Sequence, residues 1–182
     1  HQYKAIKNPY AGHLKSSFQL RPHTVADQAY IGAYQGIGVG YFNFGNPEEL
    51  GNPLAVYLFQ GGRIAQFSPR ISLNYEWNFG ASFGWKPYDE YDNPENQIIG
   101  SKVNAYLNVN LYLKWALSPK FDLMIGTTGS HFSNGNTQYP NSGLNTVDCK
   151  VGLVYNFNRR ADELAQSWQR PIVPPFPRHV RS

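Results

Sequence analysis

Within the stretch GSHFSNGNTQYPNSGLN (129–145), His131 stands two residues before Ser133, with asparagines crowded around both. A serine hydroxyl becomes a nucleophile when a base takes its proton, and the base works best when a third group fixes its tautomer. Asn145, brought back by the loop, could be that third group, fixing the imidazole tautomer with its side-chain carbonyl. An amide is a weaker support than a carboxylate, because it does not offset the imidazolium charge. Asn134 and the backbone N–H of Gly135 follow the serine and could stabilise an oxyanion. The bland alternative is a set of polar residues at the mouth of an ordinary turn. The element and face that carry these residues decide between the two.

Period two dominates the middle and end of the chain. From Ile71 to Trp85 the odd positions are Ile, Leu, Tyr, Trp, Phe, Ala, Phe and Trp, and the even positions are Ser, Asn, Glu, Asn, Gly, Ser and Gly. From 102 to 117 Val103, Leu107, Val109, Leu111 and Leu113 alternate with Lys102, Asn104, Asn108, Asn110 and Lys114. Such alternation predicts strands with one apolar and one polar face. Less regular strands are expected at 13–21, 34–44 and 54–66, and two more at 120–133 and 146–157. In GIGVGYF glycine alternates with bulky residues, and Gly61-Gly62 suggests a bulge or a close backbone approach.

A soluble sandwich would alternate too, but two features favour an antiparallel transmembrane β-barrel. The apolar face is large and aromatic, with Trp77, Trp85 and Trp115 read as belt or wall residues. Short turns at 67–70 and 118–120 exchange with long loops at 45–53, 86–101 and 134–145, the asymmetry of outer-membrane barrels. Seven strands are readable, whereas closed bacterial barrels carry an even number, so about eight are expected. The barrel is assigned to 1–157. Residues 158–182, with five Arg and four Pro, read as a periplasmic tail or linker.

In this frame the strand 120–133 climbs from a short turn towards the outer rim. His131 and Ser133 share its apolar, lipid-facing side, where polar residues are costly unless they act. By parity Asn145 points outward beside them and Asp148 points into the lumen.

The 182 residues suffice for one domain, and 15% aromatics with 17 Gly lean towards β-structure. A net charge of +4 with scattered Lys and Arg argues against nucleic acid and suits an anionic partner of another kind. A lone Cys149 allows no internal disulfide, and no run of 18 apolar residues exists. His13, His23 and His179 lack partners at metal-ligand spacing, so no metal and no cofactor is expected. The acids of KPYDEYDNPENQ lack EF-hand spacing and read as a solvated outer loop. The chain opens at His1 without an apolar signal, as expected of a mature protein or a fragment.

The words HFSN and YPNSGLN resemble the outer-membrane lipid A 3-O-deacylases of the PagL type, small barrels that hydrolyse an ester-linked acyl chain of lipopolysaccharide. They are also similar to long acyl-hydrolase relatives of Bacteroides-like bacteria. The resemblance implies His131 as the catalytic histidine, Ser133 as nucleophile, and Asn134 with the Gly135 N–H as oxyanion hole. It implies lipid A as substrate and the outer membrane of a Gram-negative bacterium as location, with the site at the outer-leaflet rim. Where the family has a glutamate as third member, this chain has Asn145. Either Asn145 holds the histidine, or the chain is a non-catalytic barrel serving as scaffold in a larger membrane complex, engaging other outer-membrane proteins through its tail.

Overall fold

A computed structural model describes residues 8–19 and 32–159. These form seven strands and no helix: β1 (Tyr10–Gln19), β2 (Tyr34–Asn43), β3 (Gly51–Gln66), β4 (Ile71–Trp85), β5 (Val103–Ala116), β6 (Phe121–Ser133) and β7 (Leu144–Tyr155). Each pairs antiparallel with the next, giving one curled sheet in the order β1 to β7, without a ladder between β1 and β7. This is the all-β, outer-membrane barrel architecture. The described residues hold seven strands where about eight are expected. Expected and observed strands agree to within a few residues, and one difference matters. β7 begins at Leu144, not 146, so Asn145 belongs to the sheet and not to the loop before it.

The outward face is apolar over most of its height. On β5, Val103, Leu107, Val109, Leu111, Leu113 and Trp115 are all exposed while the residues between them turn inward. Twelve steps of about 3.4 Å, tilted by about 40°, span about 30 Å, enough to cross the hydrocarbon core.

The lumen is divided. Its outer half is filled by rings: Phe42, Phe44, Tyr57, Trp85, Tyr106 and Phe132, all buried. Alternating glycines on β2 make room for them. A Cβ on Gly38 would lie 2.4 Å from the Tyr57 ring, and one on Gly40 would lie 2.9 Å from His13 Nδ1. His13 itself bonds the Tyr57 hydroxyl at 2.9 Å. Gly61 likewise yields space to Tyr34, and the β3 register shift comes just after it, between Arg63 and Ala65.

Trp85 departs from the belt position that its parity predicts. Gly84 takes φ +86, a left-handed conformation that breaks the alternation, and Trp85 turns inward. There it stacks on Phe44 at 5.4 Å and donates its indole N–H to Ser82 Oγ at 2.9 Å. Trp77 and Trp115 remain on the outward face.

The inner half of the lumen is polar and centres on Glu76, which is 2% exposed. Lys15 of β1 ion-pairs with it, Lys150 of β7 lies 3.6 Å away, and Tyr34 donates to it at 3.0 Å. One carboxylate of β4 thereby ties both edge strands across the lumen. At the inner end Arg159 ion-pairs with buried Asp122 at 2.7 Å and donates to Pro119 O at 2.8 Å, fixing the chain where it leaves β7.

Phe132 sits at the centre of the ring cluster, 5.1 Å from each of Phe42, Trp85 and Tyr106 and 5.6 Å from Phe44. Replacing it with Ala removes a fully enclosed ring. The expected cost is about 3–5 kcal/mol, to be read from the urea midpoint of the detergent-folded barrel beside Phe121→Ala, whose ring lies on the outward face.

Candidate functional site

The residue between His131 and Ser133 is Phe132, and its burial fixes where its neighbours go. With that ring locked inward, strand alternation turns His131 and Ser133 outward, about 6.7 Å apart along β6. An imidazole can bridge that spacing, and its Nε2 lies 3.0 Å from Ser133 Oγ. On the other side the ladder pairs His131 directly with Asn145 of β7, and His131 Nδ1 meets Asn145 Oδ1 at 2.8 Å. The amide oxygen only accepts, so Nδ1 carries the hydrogen and the Nε2 lone pair faces the serine hydroxyl. Asp148, the nearest acid in the sequence, pairs with Thr128 on the opposite face. Its carboxylate is therefore not presented to the imidazole.

On β5 the partners are Leu107 beside His131 and Ala105 beside Ser133. Alanine leaves the serine uncovered on that side. Gly129 continues the face inward along β6, and a Cβ there would meet nothing closer than 3.9 Å. Cys149 is exposed on the same face of β7, opposite Thr127.

Beyond Ser133 the chain makes a tight turn. Gly135 and Asn136 both take φ +65, and Thr137 N–H returns to Asn134 O at 3.4 Å. Two consecutive left-handed residues closed by that bond form a type I′ turn, which glycine and asparagine tolerate. The Gly135 N–H meets no acceptor among the described residues and is free to donate to a ligand. Asn134 is more occupied. Its Nδ2 donates to Gln138 O at 2.8 Å, and its backbone N–H donates to Asn141 Oδ1 at 3.2 Å. One amide hydrogen of Asn134 is unused among the described residues, and its buried Oδ1 meets no donor among them.

Sequence reasoning assigned no role to Asn141, Ser142 or Gly143, although they lie inside the quoted motif. Asn141 holds the turn, and Ser142 Oγ donates to Gln97 O at 3.1 Å, bracing this loop on the loop 86–102. Gly100 lets the two backbones touch, for a Cβ there would lie 2.7 Å from Pro140 O. One acid of that second loop, Asp89, serves the loop's own backbone. Asp89 accepts from Tyr91 N–H at 2.9 Å and from Asp92 N–H at 3.0 Å. Asn93 and Asn96 both donate to Glu49 O, joining this loop to the 44–50 connection.

The arrangement offers a serine hydroxyl, an imidazole within hydrogen-bond reach of both it and an amide, and a nearby backbone N–H without an acceptor among the described residues. The fold is that of an outer-membrane β-barrel. The profile of the lipid A 3-O-deacylase (PagL) family matches residues 14–154, which takes in β2 to β6 in full and most of β1 and β7, and the chain belongs to that family. Its general activity is therefore deacylation of lipid A in the outer membrane. Comparison with curated proteins and with solved structures returns no match.

The tautomer assignment is open to direct measurement. The Asn145 contact, as one hydrogen bond of about 1 kcal/mol, biases the imidazole about fivefold towards Nδ1–H. Asn145→Leu should bring the two tautomers near to parity in the imidazole 15N spectrum, with the barrel still folded.

Proposed function

We propose that this barrel is a serine esterase that removes an ester-linked acyl chain from lipid A. His131 is the base, Ser133 the nucleophile and Asn145 the group that orients the imidazole. The observation that carries this reading is the pair of bonds on one imidazole, 2.8 Å to Asn145 and 3.0 Å to Ser133, on the outward face. Ser133 Oγ attacks the ester carbonyl as its proton passes to His131 Nε2. The oxyanion is met by the Gly135 N–H and the free amide hydrogen of Asn134. Collapse of the intermediate expels the sugar oxygen, which takes the proton from Nε2, and water then releases the acyl group by the same route in reverse.

Placement supports a lipid substrate. β6 rises from the short 117–120 turn to the 134–143 loop, so the dyad lies at the outer end of the apolar band. Ser133 is level with Ala105 and only one outward row below Val103. An acyl chain would run inward along the apolar wall formed by Leu107, Val109 and Val147, with the sugar and phosphates at the outer-leaflet surface. We also place the division between barrel and periplasmic tail at 157/158, where Arg159 clamps the chain to the inner rim. The tail is the segment through which other outer-membrane proteins would be met. Residues 160–182 lie outside the described structure.

The rival reading, a non-catalytic scaffold, draws on the neutral Asn145 in the place of the family's glutamate. The amide faces the imidazole and supplies the tautomer, which favours the esterase, while the charge of a carboxylate is absent. A charge-assisted bond is about twice as strong as a neutral one, so the isosteric Asn145→Asp should raise the turnover rate about tenfold. Mass spectrometry of lipid A from expressing cells tests the function. The intact protein should remove one acyl chain and Ser133→Ala should remove none. Unchanged lipid A with the inserted wild-type barrel would transfer the assignment to the scaffold.

A further inference from the structure

The His131 imidazole has one more neighbour. Gly143, the residue before β7, takes φ +70, and a Cβ built on it would lie 3.1 Å from His131 Cε1, 3.9 Å from Nδ1 and 3.3 Å from Phe132 O. Cε1 is the carbon between the two ring nitrogens. Pressure there displaces both hydrogen bonds at once, and neither tolerates much change in length or angle. The ring cannot retreat by rotating in place, because Nδ1 is held by Asn145 and Nε2 by Ser133.

We propose that Gly143 is a positioning residue for the esterase, its missing Cβ being the space in which the imidazole sits. The inference rests on the serine-esterase reading and adds a constraint to it. Two demands coincide at this position, a left-handed backbone and an absent side chain, and they can be separated. Gly32 also takes φ +70, but a Cβ there would meet only Arg63 Cβ, at 3.9 Å. Gly32 lies at the inner end of the barrel, before β2, so Gly32→Ala imposes the backbone strain alone. Asparagine tolerates the left-handed region better than alanine yet still carries a Cβ. Gly143→Asn therefore relieves most of the strain and keeps the contact.

The experiment compares wild type, Gly143→Ala, Gly143→Asn and Gly32→Ala in detergent, each checked for folding by its heat-modifiable electrophoretic mobility. Two readouts are taken, lipid A deacylation kinetics and the His131 imidazole 15N shifts. Both Gly143 variants should lose at least tenfold in kcat with KM within twofold, and their 15N shifts should leave the Nδ1–H pattern. Gly32→Ala should match wild type in both. Wild-type kcat and 15N shifts in Gly143→Ala would overturn the proposal. So would full recovery in Gly143→Asn, which would reduce the role of the glycine to its backbone. If the wild-type barrel deacylates nothing, the esterase reading falls, and the 15N shifts alone decide whether Gly143 sets the imidazole.

Discussion

The burial of Phe132 is the constraint from which the site follows. Its ring is enclosed by Phe42, Phe44, Tyr106 and Trp85, four residues from three other strands and one outer loop. A β-strand leaves no freedom once one side chain is committed, since a slip of one residue exchanges the two faces. With Phe132 inward, His131 and Ser133 must face outward, and the β6–β7 ladder must bring Asn145 against the histidine. The site is thus positioned by hydrophobic packing on the side of the sheet away from the chemistry.

The same sheet solves a second problem inside. The polar half of the lumen would carry unpaired charge if its strands were not tied together. Glu76 meets Lys15 from one edge and Lys150 from the other, and Lys150 also donates to Asn110 at 2.9 Å. Asn108 then passes the network to β6, donating to Ser130 Oγ at 2.9 Å and Gly129 O at 3.1 Å. Those acceptors lie one and two residues before His131. Polar pairing from the inner lumen and ring packing from the outer lumen therefore meet behind the dyad and hold that part of β6 from both ends.

Much of this was legible in the alternation. Ile71 to Phe83 and Val103 to Trp115 declare their faces because one side meets lipid and the other the lumen, and His131 and Ser133 inherit a face from the same rule. Parity misplaces Trp85 because a single left-handed glycine reverses it, and nothing in the letters distinguishes Gly84 from Gly80. Asn145 reads as loop because strand ends have weak patterning; the ladder, not the composition, brings it into β7. Gly143 and Asn141 were visible as residues but not as roles. What they do depends on a φ angle and on where a loop returns, which are properties of the folded chain.

The central claim is that the outward His131–Ser133 pair is a working nucleophile, and a covalent probe tests it without depending on the substrate. The folded barrel in detergent would be treated with a long-chain alkyl fluorophosphonate and its intact mass and modified peptide determined. The account predicts one adduct, on Ser133, lost in His131→Ala although the serine remains. A folded wild-type barrel that stays unmodified, or is modified equally without His131, would contradict it.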